Sequence, residues 1–313
     1  MNKDIIFLTP VCTHNIWGGT RLNREFGYPI EGDDIGECWG ISAHPNGDGT
    51  VASGAYKGMK LSELWEKHPE LFGDTGMDRF PLLIKIIDAK DDLSIQVHPD
   101  DAYAKVHENG SLGKTECWFI LDCKENATLV VGHNAKSREE LEQMIQEGKW
   151  KEFIREIPIK PGDFIQIDPG TVHAIKGGTL LLETQQSSDI TYRVYDYDRL
   201  SNGKPRQLHI TQSIDVITVP AKSAENSVVH TEKKDDAIQQ LICCPYYTVY
   251  RIDVEHRVET WQDKPFVLMS VVEGEGTLNG TPLKKGDHLI LPDGYGKVEL
   301  QGLSLIHISE PTR

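Results

Sequence analysis

Three side chains far apart in the chain, His98, Glu116 and His173, have the chemistry of a divalent-cation site. His98 ends the alternating stretch LSIQVH just before Pro99, and His173 follows the turn PGTVH. Two neutral imidazoles and one carboxylate leave a divalent ion with net positive charge and an open position, the pattern of catalytic zinc; a closed structural site would want four protein ligands, usually with thiolates. On a strand, residues two apart face the same side, so Gln96 points with His98 and offers its amide oxygen as a further ligand. Cys117, next to Glu116, faces the other way. Asp100 and Asp101 are ligands or, following Pro99, caps of a short helix from Asp100 to about Glu108. His44, His68, His107 and His133 read as ordinary structural histidines.

These residues must be carried by strands. Most of the chain is short alternating or apolar runs punctuated by Gly, Pro, Asn and Asp (PLLIKIIDA, CWFILDC, TLVVGH, DFIQIDPG, GTLLLET), which predicts an all-β sandwich or barrel architecture. Helical spacing is confined to LSELWEKHPELF at 61–72 and SREELEQMIQEGKWKEFIREI at 137–157. In the second, Ser137 with Glu140 forms a capping box, and Gly148 divides the stretch into two short helices.

An internal repeat converts this pattern into a functional statement. KPGDFIQIDPG (160–170) recurs as KKGDHLILPDG (284–294), and CWFILDCKENATLVVG (117–132) is echoed by PFVLMSVVEGEGTLNG (265–280). Aligned by their Gly-Asp turns, the copies put Lys264 opposite Glu116 and Lys297 opposite His173, and a lysine cannot share a divalent cation. The expected organisation is therefore a catalytic unit over 1–225 with a helical insertion at about 136–157, and a metal-free unit over 237–313, joined by a polar segment at 221–236. The closing LSLIHISEPTR (303–313) resembles the in-frame translation of a transposon adapter used in preparing sequencing libraries, which implies a non-native tail in place of the last strand. Against this, Leu303 to Ile308 alternates as a closing strand would.

With 313 residues there is ample apolar material for a core. The 33 basic and 48 acidic residues give a formal charge of −15, a field that repels nucleic acid and anionic membrane surfaces. An anionic substrate must then be met by cations within a Debye length, about 8 Å at physiological salt. Six cysteines without regular spacing read as reduced, buried thiols. The start, MNKDIIFLTP, lacks the apolar stretch of a signal peptide, so a cytoplasmic chain is expected, and a monomer.

Six motifs together identify a family. NIWGG (15–19), GECWGISAHPNGDG (36–49), LSIQVHPDD (93–101), GKTECWFIL (113–121), PGTVHAI (169–175) and ITYRVYDYDR (190–199) resemble the type I mannose-6-phosphate isomerases in their short bacterial form, from the N-terminus to about residue 302. The resemblance implies two cupin-type (jelly-roll) units and a zinc-dependent aldose-ketose isomerase. It would interconvert mannose 6-phosphate and fructose 6-phosphate through an enediol, with one zinc per chain. Carried over motif by motif, the family's zinc ligands fall on His98, Glu116 and His173, with Gln96 as a fourth. Its active-site arginine falls on Arg193 and its lysine near the ligand glutamate on Lys114. The resemblance leaves open how Lys114 and Arg193 divide the phosphate and the enediolate. The proton-transferring base is left open; Glu183 and Asp189 are carboxylates near the site in sequence order, each of which could instead pair with a neighbouring cation.

Two other functions fit the same residue types. Two histidines and a carboxylate also hold non-haem iron in cupin dioxygenases. A metal-containing sugar sensor would use the same pocket without turnover.

Overall fold

The computed structural model describes residues 4–224 and 227–312; residues 1–3, 225, 226 and 313, which include part of the polar join at 221–236, lie outside it. The protein is mainly β, as the alternation predicts. Among the described residues the strands form sheets of nine, seven, five and two members.

Three layers account for the positioning of the site. The five-stranded sheet (Tyr192–Tyr195, Ile95–Val97, His173–Ala174, Thr128–His133 and Ile154–Pro158) packs on the seven-stranded sheet, and Trp17, Trp118, Ile120, Leu129, Ile165 and Leu181 fill the space between. The other face of the seven-stranded sheet is buried as well. Cys117, Phe119 and Leu182 share one cluster with Tyr247 and Leu268 of the nine-stranded sheet and with Phe266 beside it. A strand covered on both faces must be apolar throughout, which is why Leu82–Ala89 reads as a continuous run and is buried at all eight positions.

Sheet membership crosses the expected division of the chain. Ile6–Thr9 pairs with His288–Leu291 and with Thr50–Val51 in the nine-stranded sheet, and Val228–His230 pairs with Asp163–Ile167 in the seven-stranded one. The repeated Gly-Asp turns are structurally equivalent. Asp163 accepts a hydrogen bond from the Lys160 amide at 2.9 Å, and Asp287 accepts one from the Lys284 amide at 2.8 Å.

The helical expectations hold in part. Asp100 caps a helix over Asp101–His107, accepting from the Tyr103 amide at 2.8 Å. Ser137 caps Arg138–Gln146, and a second helix, Trp150–Phe153, follows Gly148. The pattern from 154 to 157 is not helical, however. Ile154–Pro158 is a strand paired with Thr128–His133, where the branched Ile154 and Ile157 complete the edge of the five-stranded sheet. The stretch 61–72 also divides, into Leu61–Lys67 and a single 3-10 turn Pro69–Phe72, because Pro69 has no amide proton to continue the first helix. Two short helices without a clear periodic signal, Arg21–Phe26 and Ile210–Val216, complete the set of α-helices among the described residues.

The closing segment pairs as a strand. Gly296–Pro311 lies between Tyr247–Val254 and Val267–Leu278, and buries His307, Ser309 and Glu310 along with Ile306 and Ile308. Polar side chains are an unusual load for an interior strand, and the His307 Nε2 has no hydrogen-bond partner.

Burial lowers the pKa of His307 to about 3 and that of the equally buried His288 to about 4. In the unfolded chain both imidazoles return to roughly 6.5. Below that pH the unfolded state binds protons that the native state refuses, so their contribution is complete above pH 6.5 and is lost as the pH falls toward 4 and then 3. The urea midpoint should therefore drop steeply between pH 6.5 and 4.5, and less steeply in a His307→Leu variant, which separates this effect from the imidazoles of the cluster described next. A midpoint as steep in that variant as in the wild-type chain would remove His307 from the account.

Candidate metal centre

His98, Glu116 and His173 converge between the five- and seven-stranded sheets. Glu116 opens the strand Glu116–Cys123, held between Asp163–Ile167 and Thr179–Gln186, with Ile167 and Gln185 as its cross-strand neighbours. His173 opens the two-residue strand His173–Ala174, flanked by Gln96 and Val131. His98 directly follows Ile95–Val97, and its carbonyl accepts the Gly170 amide at 2.9 Å, tying the turn before His173 to the end of that strand. Only glycine serves at 170: φ is +80°, and a Cβ there would lie 2.4 Å from the Thr218 hydroxyl oxygen.

The candidate ligand atoms form a compact triangle. The two Nε2 atoms are 3.1 Å apart, His98 Nε2 is 3.5 Å from Glu116 Oε2, and His173 Nε2 is 3.3 Å from Glu116 Oε1. All three residues are almost fully buried, yet both Glu116 oxygens lack a hydrogen-bond partner. The Lys114 ammonium approaches only Oε2, at 3.0 Å, and a buried carboxylate satisfied on one side alone is costly unless something else completes it. His173 Nδ1 donates to the Thr171 carbonyl at 2.8 Å, which fixes the tautomer and leaves the Nε2 lone pair facing the centre of the triangle. Burial pushes both imidazoles below their ordinary pKa, His98 to about 3, and so favours the neutral, ligating form. Burial alone would raise Glu116, but Lys114 and then His98 hold it well below the usual carboxylate range. The donor set is one that could hold a metal ion.

The neighbouring polar groups are arranged around this triangle. Lys114 is buried and places Nζ 3.0 Å from Glu116 Oε2, so it is not a solvated lysine. Gln96 and Arg193 stand in one cross-strand row with His173: His173 pairs with Gln96, and Gln96 with Arg193. Directly opposed residues share a face, so all three address the site side of the sheet. Asp196 does not pair with Arg193, being occupied by Arg199 at 2.6 Å and by Arg206. Among the described residues Arg193 has no ion pair, and its buried Nε has no acceptor.

Sequence reasoning missed Lys85 and Glu37. Lys85 Nζ lies 3.3 Å from Glu183 Oε1 and 3.8 Å from Glu37 Oε1, and Glu183 Oε2 accepts the Trp118 indole N–H at 2.9 Å. A lysine in the middle of LLIKII was the available signal, since a cation there must be paired if the strand is buried. Asp189 is elsewhere, partly exposed beside His44 and Asn46. Asp100 and Asp101 are outside the triangle; Asp101 accepts from the Gly113 amide and from Gln186. Cys117 faces the core shared with the nine-stranded sheet, away from Glu116.

Known families coincide with this arrangement. Residues 5–120 match the phosphomannose isomerase type I catalytic domain, and residues 237–310 the mannose-6-phosphate isomerase cupin domain. The chain is 51% identical over 307 residues to mannose-6-phosphate isomerase ManA of Bacillus subtilis (strain 168), covering 96% of this chain and 97% of that protein. The chain belongs to the type I phosphomannose isomerases. Its likeness to the mannose-6-phosphate isomerase of Streptococcus mutans serotype c is 49% identity, over 95% of each chain. The crystal structure of mannose 6-phosphate isomerase from Bacillus subtilis superposes with a TM-score of 0.91 at 48% identity, over 98% of this chain and 100% of that one. This phosphomannose isomerase thus has the mainly β, cupin-containing fold that the sequence implied.

Proposed function

We propose that the chain interconverts mannose 6-phosphate and fructose 6-phosphate through an enediol, and that His98, Glu116 and His173 hold a zinc ion with Gln96 as a fourth ligand. The observation that carries this reading is the buried Glu116 carboxylate, ion-paired to Lys114 at 3.0 Å, facing two imidazole nitrogens at 3.3 and 3.5 Å. For ligands about 2.05 Å from zinc, tetrahedral geometry separates neighbouring donor atoms by about 3.3 Å, which matches the triangle. Bound zinc supplies a Lewis acid for the charge that develops on the substrate's C1 and C2 oxygens, without redox chemistry.

The protein's own groups divide the remaining work. Arg193, which makes no ion pair among the described residues, takes the phosphate. It stands two strands from His173, about 10 Å along the row, which suits a phosphate at the opposite end of the sugar from C1 and C2. Lys114, beside Glu116, donates to the oxygens of the reacting carbons. Glu183 is a better holder of the migrating proton than Asp189, because it is buried in the network that reaches the site. Burial and then the Glu116 charge raise its pKa, the direction that favours taking up a proton. Dialysis against a chelator should abolish the formation of fructose 6-phosphate in a coupled assay, and zinc should restore it. Full activity in chelated, metal-free protein would overturn the zinc assignment, and oxygen uptake on iron loading would favour a dioxygenase.

A further inference from the structure

Arg193 sits on Tyr192–Tyr195, an edge strand whose partner in the five-stranded sheet is Ile95–Val97, and the ladder is irregular immediately after Arg193. On the other side of this strand stands one histidine. The Arg193 amide donates to His209 Nδ1 at 3.2 Å, and the Arg193 carbonyl accepts the His209 amide at 2.8 Å. Both backbone groups of Arg193 are thereby satisfied, as half-buried main chain requires. His209 is itself anchored, its carbonyl accepting the Ser213 amide at 2.8 Å and the Ser213 hydroxyl at 2.7 Å in the first turn of Ile210–Val216. Its ring lies 6.0 Å from that of Tyr192, whose hydroxyl donates to Glu108.

We propose that His209 is a positioning residue for Arg193: its imidazole and amide act as the missing neighbouring strand and hold Arg193 in line with Gln96 and His173. The inference rests on the reading of Arg193 as the phosphate-binding residue. Among the described residues no ion pair holds the Arg193 side chain, since Asp196 is taken by Arg199 and Arg206 and the Arg193 Nε has no acceptor, so its place is set through the backbone that His209 holds. Because a backbone N–H donates to Nδ1, that nitrogen carries no proton and the hydrogen is on Nε2. Burial, followed by the Arg193 charge, keeps the ring below its ordinary pKa and so in this neutral form.

The choice of nitrogen makes a discriminating test possible. Asparagine places its carbonyl oxygen where Nδ1 stands, whereas glutamine carries its oxygen one methylene farther out. In His209→Ala, with the melting curve confirming a folded chain, calorimetric binding of mannose 6-phosphate should weaken by about ten-fold, the scale of one lost hydrogen bond. KM should rise more than kcat falls, and the Arg193 amide should exchange with solvent faster. His209→Asn should recover the affinity and the protection; His209→Gln should recover neither. Affinity within about two-fold of wild type in the alanine variant, with the amide exposed, would reduce His209 to a structural residue and overturn the proposal. Equal loss in the asparagine and alanine variants would do the same. If the wild-type chain binds mannose 6-phosphate without converting it, the isomerase reading fails while the binding comparison still decides the role of His209. A wild-type chain that does not bind the sugar phosphate overturns both.

Discussion

Alanine at position 173 is expected to lower kcat for mannose 6-phosphate by about a thousand-fold or more and to cut the zinc retained after gel filtration to well below one per chain. The magnitude follows from the several kcal/mol that a Lewis acid contributes to a developing oxyanion, at about 1.4 kcal/mol per decade of rate. The direction follows from geometry: His173 Nε2 is 3.1 Å from His98 Nε2 and 3.3 Å from Glu116 Oε1, so its removal opens one corner of the triangle. Lys114 would then be the nearest cation to Glu116, at 3.0 Å, and would neutralise the carboxylate without offering a coordination position. Turnover by coupled assay and metal content by mass spectrometry check the two effects separately. A His173→Ala protein with stoichiometric zinc and activity within ten-fold of wild type would dismiss His173 as a ligand.

The second large effect is expected at Lys85. Its ammonium is buried between Glu37 and Glu183; burial alone would lower its pKa, yet those two carboxylates, with Glu116, raise it above the ordinary lysine range. Removing one partner of a buried ionic group leaves the others uncompensated, a loss of about 3–5 kcal/mol. Lys85→Met, which keeps the length and apolar stem, should therefore lower the unfolding free energy in urea by about that amount. It should also raise the pKa of Glu183 further, so the remaining activity should shift its acid limb to higher pH. A double variant, Lys85→Met with Glu183→Gln, should regain part of the stability, because the orphaned carboxylate is gone. An unchanged urea midpoint in the single variant would show that the three groups are not the buried network the distances describe.

Different parts of the molecule were legible in the sequence to different degrees, for identifiable reasons. The triad of His98, Glu116 and His173 stood out because each member interrupts an apolar or turn pattern: an imidazole at the end of LSIQVH, a glutamate opening an apolar strand, an imidazole after a Pro-Gly turn. Such interruptions need a partner, and a metal is one that all three can share. Asp100 and Ser137 were readable as caps because capping is local, involving an amide three residues away. Ile154–Pro158 was not readable as a strand, because helix and strand compete there on weak local preference and the open edge beside Thr128–His133 decides.

What the sequence determined by itself was the set of local, short-range facts: the alternation that makes strands, the repeated Gly-Asp turns, the caps, and the residue types able to bind a divalent cation and a phosphorylated sugar. Tertiary structure alone decided the long-range ones. It brought residues 98, 116 and 173 within 3.5 Å of one another, buried Lys114 and Lys85 against carboxylates, gave Asp196 to Arg199 and Arg206, and set His209 beside Arg193. The physical reason is that strand order and register are settled by burying several apolar layers at once, a condition on the whole chain that no short stretch of it contains.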